Sequence, residues 1–316
     1  GARQHKNTPP PPTPGGGPNV RANTHNNGIG HHQPNQAPRP IEPPGAVGVW
    51  WLGQSSLVLK AAGQIVYLDP YLTPSERRLT PPPFAPADVT HADLVLCTHD
   101  HLDHLDPTTL PPLAKASPQA RFVVPRPVAA RVAELVGDPG RVVPAVAGEP
   151  ITLGAVEILP VPAKHEEFDL HPTLGHPYLG YVFRLAGVTV YHAGDTIPYE
   201  GMVETLAPLG IDLAFLPING RDFFRTRAGV IGNMDYREAA ELAVALGVDT
   251  VVPIHYGMFA RNTVPPGHFV SYLAEYHPHQ QVHLLGRYGL FLYQRPETTR
   301  AHPATGQADF GPRGTA

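Results

Sequence analysis

The amino-acid sequence predicts an α/β fold, a four-layer αββα sandwich in which two β-sheets pack together and helices cover the outside. Three observations lead to this prediction. Short apolar runs separated by turn residues extend from Val47 to Tyr293, as in strands. Strands in the first half, followed by strands mixed with helices, form a pattern that repeats once in rough form. The chain has 316 residues, 42% of them hydrophobic, which is long enough to bury one large core.

The individual elements follow from apolar periodicity and turn residues. Ala61-Ala62-Gly63 and Ala186-Gly187 are predicted to be hairpin turns, and Asp235 is a predicted helix N-cap. The Pro-rich residues 71–90 are expected to form a covering loop. In chain order, we predict strands over residues 47–52, 56–59, 64–68, 93–97, 122–124, 142–143, 156–161, 180–185, 188–192, 213–216, 251–254, 282–284 and 290–293, and helices over residues 111–116, 128–136, 202–206, 234–246 and 266–276.

Residues 1–44 differ in composition from the rest of the chain. They contain neither leucine nor an aromatic residue, and the runs at 9–12 and 15–17 are pure proline and pure glycine. Such a segment cannot bury enough apolar surface to offset the entropy of ordering it. We therefore expect a disordered Pro/Gly-rich tail over residues 1–44, one folded domain over residues 45–294 and a flexible C-terminal tail over residues 295–316.

Charge and composition narrow the class of protein. The net charge of −4 offers no basic field that would attract nucleic acid. No apolar run approaches the ~20 residues of a transmembrane helix. The single cysteine, Cys97, excludes an intramolecular disulfide and fits a reducing compartment, so we expect a cytoplasmic protein. The first residue is Gly1 rather than Met, which leaves a removed signal peptide as the alternative.

A short histidine-rich loop is the strongest chemical signal. It follows the apolar run 93–97, and its spacing is H-x-H-x-D-H. Side chains two apart on an extended chain point the same way, so the first two histidines can face one position while the last two ligands turn toward a second. The alternative is a polar loop in a chain that has 18 histidines. The candidate ligands of this loop are His99, His101, Asp103 and His104.

Three later residues complete the set of candidate ligands. His165, Asp195 and His255 each follow the end of an apolar run, and strand ends are rigid places to build a site. His171 and His176 are rivals of His165, but no strand directly precedes them. His192 is predicted to be a buried, hydrogen-bonded histidine, and Asp69 either caps a turn or orients a ligand histidine.

The seven ligands divide between two divalent ions that share a nucleophilic hydroxide. Imidazole and carboxylate ligands suit zinc, manganese or iron alike. The predicted division assigns His99, His101 and His165 to one ion, Asp103, His104 and His255 to the other, and Asp195 to a bridge between them.

These motifs resemble the metallo-β-lactamase superfamily, and the resemblance covers the chain from about Val47 to Tyr293. Within the superfamily the chain looks like the L-ascorbate-6-phosphate lactonase group. The superfamily resemblance rests on the ligand motif, and the narrower one on residues 98–106, 217–222, 232–234, 238–240 and 255–259 followed by Asn262. The resemblance implies the metallo-β-lactamase sandwich and a lactonase that opens a phosphorylated or anionic sugar lactone by attack of a metal-bound hydroxide. It mildly favours manganese over zinc.

Roles for further residues follow from this interpretation. Asp103 is expected to orient the nucleophile, and Tyr256 either donates to the oxyanion or packs in the core. Arginine suits bidentate recognition of phosphate or carboxylate, although Arg221 can equally pair with Asp222 in a solvated loop. The predicted substrate-binding residues are Asn219, Arg221, Arg227, Asn233 and Asn262.

Two other functions use the same residues. A phosphodiesterase acting on a phospholipid or a cyclic nucleotide needs the same metal pair. A non-catalytic, metal-containing binding protein is the third interpretation, with the proline-rich tail as its interaction segment. The expected partner is a small anionic substrate, and we expect the protein to associate with itself as a homo-oligomer.

Overall fold

Two seven-stranded β-sheets form the centre of the computed structural model, which describes residues 45–165 and 167–296. The inner faces of the two sheets pack against each other and bury one large apolar cluster, which includes Val49 and Leu59 of the first sheet and Tyr181 and Phe183 of the second. Helices flank both sheets, so the predicted four-layer α/β sandwich is confirmed. The tail predicted over residues 1–44, and residues 297–316 of the C-terminal tail, lie outside the described residues.

The described part of the chain contains fourteen strands and six α-helices. The strands are β1 (Ala46–Gly53), β2 (Ser56–Ala61), β3 (Gln64–Leu68), β4 (Leu94–Leu96), β5 (Arg121–Pro125), β6 (Val142–Ala145), β7 (Ile151–Leu153), β8 (Val156–Pro162), β9 (Leu179–Leu185), β10 (Val188–His192), β11 (Leu213–Pro217), β12 (Thr250–Ile254), β13 (Gln281–Val282) and β14 (Leu290–Gln294). The helices are α1 (Leu110–Ala116), α2 (Ala129–Val136), α3 (Met202–Leu206), α4 (Phe223–Arg227), α5 (Tyr236–Leu246) and α6 (Gly267–Tyr276).

The two sheets share one topology. The first has the strand order β14-β1-β2-β3-β4-β5-β6, and the second has β7-β8-β9-β10-β11-β12-β13 when it is read from the corresponding edge. In each sheet the first three neighbouring pairs are antiparallel and the last three are parallel. Strand β3 therefore corresponds to β10, and β4 corresponds to β11.

Local sequence explains most of the element boundaries. Both predicted hairpins turn on a left-handed Ala-Gly pair, Ala62-Gly63 and Ala186-Gly187, which matches the twist of the flanking strands. Asp235 caps α5 as predicted, because its carboxylate accepts hydrogen bonds from the backbone N–H groups of Arg237 and Glu238. Every predicted element lies within two residues of its observed bounds.

Two short elements were not predicted. Strand β7 has only three residues, too few to show an apolar period. Helix α4 has five residues and contributes no buried side chain, so the apolar spacing that marks a helix is missing there. Its start is set instead by Asp222, whose carboxylate caps the N–H groups of Phe224 and Arg225.

The helices form the two outer layers. Leu110, Leu113 and Val132 of α1 and α2 pack with Phe122 on the outer face of the first sheet. Helices α3, α5 and α6 contribute buried residues to the cluster that contains the second sheet. Among the residues that the structure describes, no helix is both long enough and apolar enough to cross a membrane.

Candidate metal centre

All seven predicted ligands come together where strand ends of the two sheets meet. The loop after β4 supplies four of them, and one each follows β8, β10 and β12. Their nitrogen and oxygen atoms form two groups, within each of which the atoms lie within 4.8 Å of one another. The first group is His99, His101, His165 and Asp195, and the second is Asp103, His104 and His255. Metal binding by these residues remains a prediction.

The first group is a set of converging imidazoles. His101 Nδ1 lies 3.0 Å from His99 Nε2 and 3.3 Å from His165 Nε2. The Oδ2 atom of Asp195 is 3.7 Å from His165 Nε2, so one carboxylate oxygen faces this group.

The second group faces the other oxygen of the same carboxylate. Asp195 Oδ1 is 3.3 Å from His104 Nε2 and 3.1 Å from His255 Nε2. Asp103 Oδ2 stands 3.7 Å from His255 Nε2 and 3.9 Å from His104 Nε2. Asp195 therefore lies between the two groups, with one oxygen toward each.

These distances fit a metal site better than a hydrogen-bonded cluster. His104 Nε2 and Asp195 Oδ1 are buried and close together, yet neither makes a hydrogen bond with good geometry within the described residues. Buried polar atoms without partners are costly, and ligand atoms prepared for a cation are one explanation. Four ligands placed 2.0–2.1 Å from a tetrahedral zinc ion would lie about 3.3 Å from one another. The separations given above, from 3.0 to 3.9 Å, span that value.

Protonation also favours a bound cation. Burial lowers the pKa of His165 to about 4 and lowers the pKa of His99 well below its usual value, so both imidazoles are neutral and have a lone pair to donate. Burial alone would lower the pKa of His104 as well, but the negative charges of Asp195 and Asp69 outweigh burial and raise it. The position of His104 Nε2 therefore attracts positive charge.

Asp69 contacts one candidate ligand, His104, directly and a second, His99, through Thr98. Its carboxylate accepts hydrogen bonds from His104 Nδ1 at 2.7 Å, His192 Nε2 at 3.0 Å and the Thr98 hydroxyl at 2.8 Å. The Thr98 oxygen in turn lies 3.0 Å from His99 Nδ1. With the protons on Nδ1, the Nε2 atoms of both ligands point into the cluster. Asp69 thus contacts a candidate ligand, as one of its two predicted roles required, and His192 is the buried, hydrogen-bonded histidine that the sequence predicts.

Gln54 belongs to the same site although the sequence did not single it out. It lies in the tight turn between β1 and β2, and its Nε2 donates to Asp103 Oδ2 at 3.0 Å and lies 3.3 Å from His255 Nε2. The only signal in the sequence was a polar residue in the turn between two apolar strands, and its complete burial is visible only in the structure.

Backbone strain marks the same place. Gln54, Asp69 and His255 have positive φ angles of 53°, 43° and 62°, in a region that non-glycine residues rarely occupy. Such conformations cost about 1–3 kcal/mol each and cluster at functional sites. Gly194 (φ 62°) is also required, because a Cβ there would lie 2.8 Å from Thr98 Cβ. Because glycine has no Cβ, the chain after β10 can approach the loop that carries His99 to His104. This close approach brings Asp195 to the candidate ligands.

A cavity of about 810 Å³ opens over the candidate ligands. His101, Asp103 and Asp195 form part of its lining, so a molecule bound there would reach both groups. Besides Asp103 and Asp195, the charged side chains in the lining are Glu76, Arg77 and Arg261, and the remaining residues are mostly apolar. The Pro-rich residues 71–90, predicted to form a covering loop, contribute Glu76, Arg77 and Leu79 to the lining.

The predicted substrate-binding residues occupy different positions. Asn262 lines the cavity, and its side-chain oxygen accepts a hydrogen bond from Asn219 Nδ2 at 2.7 Å. Asn219 Oδ1 accepts in turn from Asn233 Nδ2 at 3.0 Å, so the three amides form a chain that leads away from the cavity.

The two predicted arginines do not line this cavity. The guanidinium of Arg221 makes a bidentate pair with Glu238 and also donates to the Asn233 carbonyl, and that of Arg227 lies over the Phe223 ring. The alternative to anion binding was an ion pair between Arg221 and a neighbouring acid. The structure shows such a pair, but the acid is Glu238 rather than Asp222.

Tyr256 and the rival histidines also lie outside the cluster. The Tyr256 ring packs 4.8 Å from that of Trp51, burial raises its pKa to about 12, and it is absent from the described cavity lining. These contacts fit the packing role that was the alternative to oxyanion binding. His171 bonds the backbone of Thr173 and Leu174, and His176 bonds the carbonyl of Asp169.

A family model matches most of the folded part of the chain. The family described as "Beta-lactamase superfamily domain" matches residues 65–256. This range covers more than half of the chain and includes all seven candidate ligands.

Individual relatives agree with that match. The chain is 32% identical over 223 residues to a UPF0173 metal-dependent hydrolase from Thermococcus kodakarensis, covering 70% of this chain and 87% of that protein. A UPF0173 metal-dependent hydrolase from Pyrococcus horikoshii is 33% identical over 222 residues, with the same coverage. Among solved structures, the metallo hydrolase Igni18 from Ignicoccus hospitalis has a TM-score of 0.63 at 22% identity, covering 79% of this chain and all of that one, which shows a shared fold.

Proposed function

The chain is a metal-dependent hydrolase of the metallo-β-lactamase superfamily, and from this premise we propose that it opens a lactone that carries an anionic group. The observation that carries the proposal is the cavity, in which Asp103 and Asp195 share one space with two arginines. Within the described residues, the side chains of Arg77 and Arg261 have no hydrogen-bond or ion-pair partner. Two guanidinium groups without partners beside a hydrolytic site are available to a carboxylate or phosphate.

The seven clustered residues would hold two divalent cations, zinc or manganese. Such cations polarise a carbonyl oxygen and make water nucleophilic at neutral pH. Asp195, with one oxygen toward each group, keeps the two positions together. Asp103 is partly exposed to the cavity and is held by Gln54, so its carboxylate accepts a hydrogen bond from the attacking water and orients it. A bond forms between the water oxygen and the acyl carbon, the ring C–O bond breaks, and the ring oxygen leaves as a hydroxyl with a proton from water.

A place in the L-ascorbate-6-phosphate lactonase-like group is part of the proposal, as a statement about the type of reaction, because the residues that suggest the group do not fix the substrate. The Asn-Gly-Arg-Asp and Gly-Asn-Met stretches support it, since Asn219 and Asn233 position Asn262 at the cavity wall. The anion, however, is assigned to Arg77 and Arg261, because Arg221 and Arg227 are engaged elsewhere.

The test is turnover of matched substrates by the metal-loaded protein. We expect hydrolysis of a carboxylated lactone to exceed that of its neutral methyl ester, and Arg77→Gln or Arg261→Gln to remove that preference. Loss of one charge-assisted contact is worth about 1.5–3 kcal/mol, or roughly 10- to 150-fold in kcat/KM for the anionic substrate. Arg126→Gln is the matched control, because Arg126 pairs with Glu149 on the surface and does not line the cavity.

Other outcomes assign other functions. Cleavage of bis(p-nitrophenyl) phosphate with no lactone turnover would make the protein a phosphodiesterase. Metal binding without turnover of either substrate would favour the non-catalytic binding protein. If Arg221→Gln lowers kcat/KM for the anionic substrate more than Arg77→Gln and Arg261→Gln do, the anion is bound by the arginines predicted from the sequence and not by those of the cavity.

A further inference from the structure

Two large leucines are exposed at the mouth of the candidate site. Leu79 and Leu102 each expose 57% of their surface, and both line the cavity. Leu102 sits in the ligand loop between His101 and Asp103, so a molecule that reaches those ligands passes beside it. An exposed apolar patch continuous with a cavity marks a binding surface rather than ordinary surface variation.

Three further apolar side chains extend this surface. Val230 and Ile231 come from the segment after α4, and Phe259 comes from the segment after β12. With Leu79 and Leu102 they form what we call the apolar wall.

The apolar wall is held in place by the backbone. The N–H of Leu79 donates to the carbonyl of Met258 at 2.8 Å, and Arg78 pairs with Phe259 in an isolated β-bridge. The buried guanidinium of Arg78 also donates to the carbonyls of Tyr71 and Thr80. The first two contacts join the loop that carries Leu79 to the loop after β12, and the guanidinium contacts brace the first loop internally. The part of the wall formed by Leu79 and Phe259 is therefore preformed, and less ordering entropy opposes binding there.

The apolar wall itself offers no side chain that can hydrogen-bond a hydroxyl group. Apart from the candidate ligands, the lining offers the side chains of Glu76, Arg77, Arg261 and Asn262. A sugar bound against the apolar wall would leave hydroxyl groups without hydrogen-bond partners, and each such buried group costs free energy. An alkyl group would instead remove both its own surface and that of the wall from water.

We propose that the non-reacting part of the substrate is an alkyl chain that lies on the apolar wall, while its anionic group meets Arg77 or Arg261. The inference rests on the proposed opening of an anionic lactone, and it makes that lactone amphiphilic in place of the sugar lactone that the resemblance implies. The size of the cavity, about 810 Å³, lies within the range of small-molecule sites, about 300–1,000 Å³.

Binding of linear carboxylates tests the inference without requiring turnover. Affinities of butanoate, hexanoate and octanoate for the zinc-loaded protein are measured by calorimetry. Each fully buried methylene strengthens binding about fourfold, so we expect octanoate to bind at least ~10-fold more tightly than butanoate even with partial burial. Suberate, which has the length of octanoate but a second carboxylate, should show no such gain.

Variants locate the effect on the wall. Leu79→Ser and Leu102→Ser should each weaken octanoate binding about three- to tenfold and butanoate binding less. Leu292→Ser is the matched control, since Leu292 exposes 46% of its surface on β14 and does not line the cavity. Zinc content is measured for each variant, and Leu79→Ser decides the question if Leu102→Ser disturbs the ligand loop.

The outcomes separate this inference from the proposed function. Affinity that does not change with chain length, or that changes equally in Leu292→Ser, overturns the apolar wall even if lactones are hydrolysed. Affinity that rises with chain length and falls in Leu79→Ser supports the wall even if no lactone is opened, and the proposed function then fails alone.

Discussion

Asp69 and Asp195 follow corresponding strands of the two sheets, β3 and β10, and both lie beside His104, but their surroundings differ. Asp69 is fully hydrogen-bonded, with donors from Thr98, His104 and His192. The Oδ1 atom of Asp195 lies 3.1–3.3 Å from two imidazole nitrogens without a hydrogen bond to either. One carboxylate orients a ligand, and the other has the geometry of a ligand.

The difference comes from the distance between each carboxylate and its strand. Asp69 directly follows the last residue of β3, so its side chain stays against the sheet, where backbone and side-chain donors reach it. Asp195 is separated from β10 by Ala193 and Gly194, and this extension carries it out to the ligand loop. The ends of β3 and β10 occupy equivalent positions in the two sheets, yet the carboxylate after β3 hydrogen-bonds a candidate ligand and the one after β10 is itself a candidate ligand.

The largest expected effect comes from Asp195. Asp195→Asn removes the charge between the two groups, and turnover should fall at least ~100-fold, more than the loss of metal explains. Turnover and metal content are measured on the same samples. Near-normal turnover would show that Asp195 does not bridge.

Asp69→Asn should have a smaller effect of a different kind. A carboxylate that orients ligand histidines typically contributes about 10- to 100-fold in metal affinity, so zinc affinity should fall by that order in a chelator competition. Asp106→Asn is the matched control, because Asp106 is buried in the same loop but accepts hydrogen bonds from Thr73 and Thr109 rather than from a histidine. Equal losses in both variants would make Asp69 a general stability residue.

A third variant separates the two groups of ligands. Gln54 contacts Asp103 and His255 of the second group, and no described hydrogen bond joins it to the first. Gln54→Ala should therefore weaken only the second metal equivalent, by roughly fivefold if one hydrogen bond of about 1 kcal/mol is lost. Calorimetric titration resolves the two equivalents, and equal weakening of both would contradict this assignment.

The smallest effect is expected from residues 1–44. Their composition offers no apolar face, so a chain beginning at Gly45 should melt within ~2 °C of the full chain, a shift that corresponds to less than about 1 kcal/mol. Differential scanning calorimetry of both proteins checks this. A larger drop would mean that the segment packs on the domain.

Sequence reasoning performed best where the chemistry is contiguous. The ligand loop of His99, His101, Asp103 and His104 was recognisable because four donors occur within six residues after an apolar run. His165, Asp195 and His255 could be added because each follows a strand end, where the direction of the chain is already constrained. The structure brings these seven together in the predicted division, and the predicted elements agree with the observed ones.

The cavity could not be derived in the same way. Arg77, Leu79 and Arg261 have no periodic or spacing signal, and they belong to loops whose path depends on contacts such as the bond from Leu79 to Met258. For Arg221 the sequence suggested a substrate-binding residue, because no partner for its guanidinium was fixed by the local pattern. In the structure, Glu238 of α5 accepts hydrogen bonds from that guanidinium.

The sequence by itself determined the α/β class, the strand order along the chain and the identity of the candidate ligands, because apolar periodicity and strand-end chemistry are local properties. Only the tertiary structure decided that Gln54 supports one of the two groups, that Arg221 is held by Glu238 and that the cavity wall is apolar. These facts depend on the packing of two sheets and on side chains far apart in the chain, such as Gln54 and His255. The free energy of such contacts depends on burial and on the distance between the groups. Neither quantity can be read from the residues that are neighbours in the sequence.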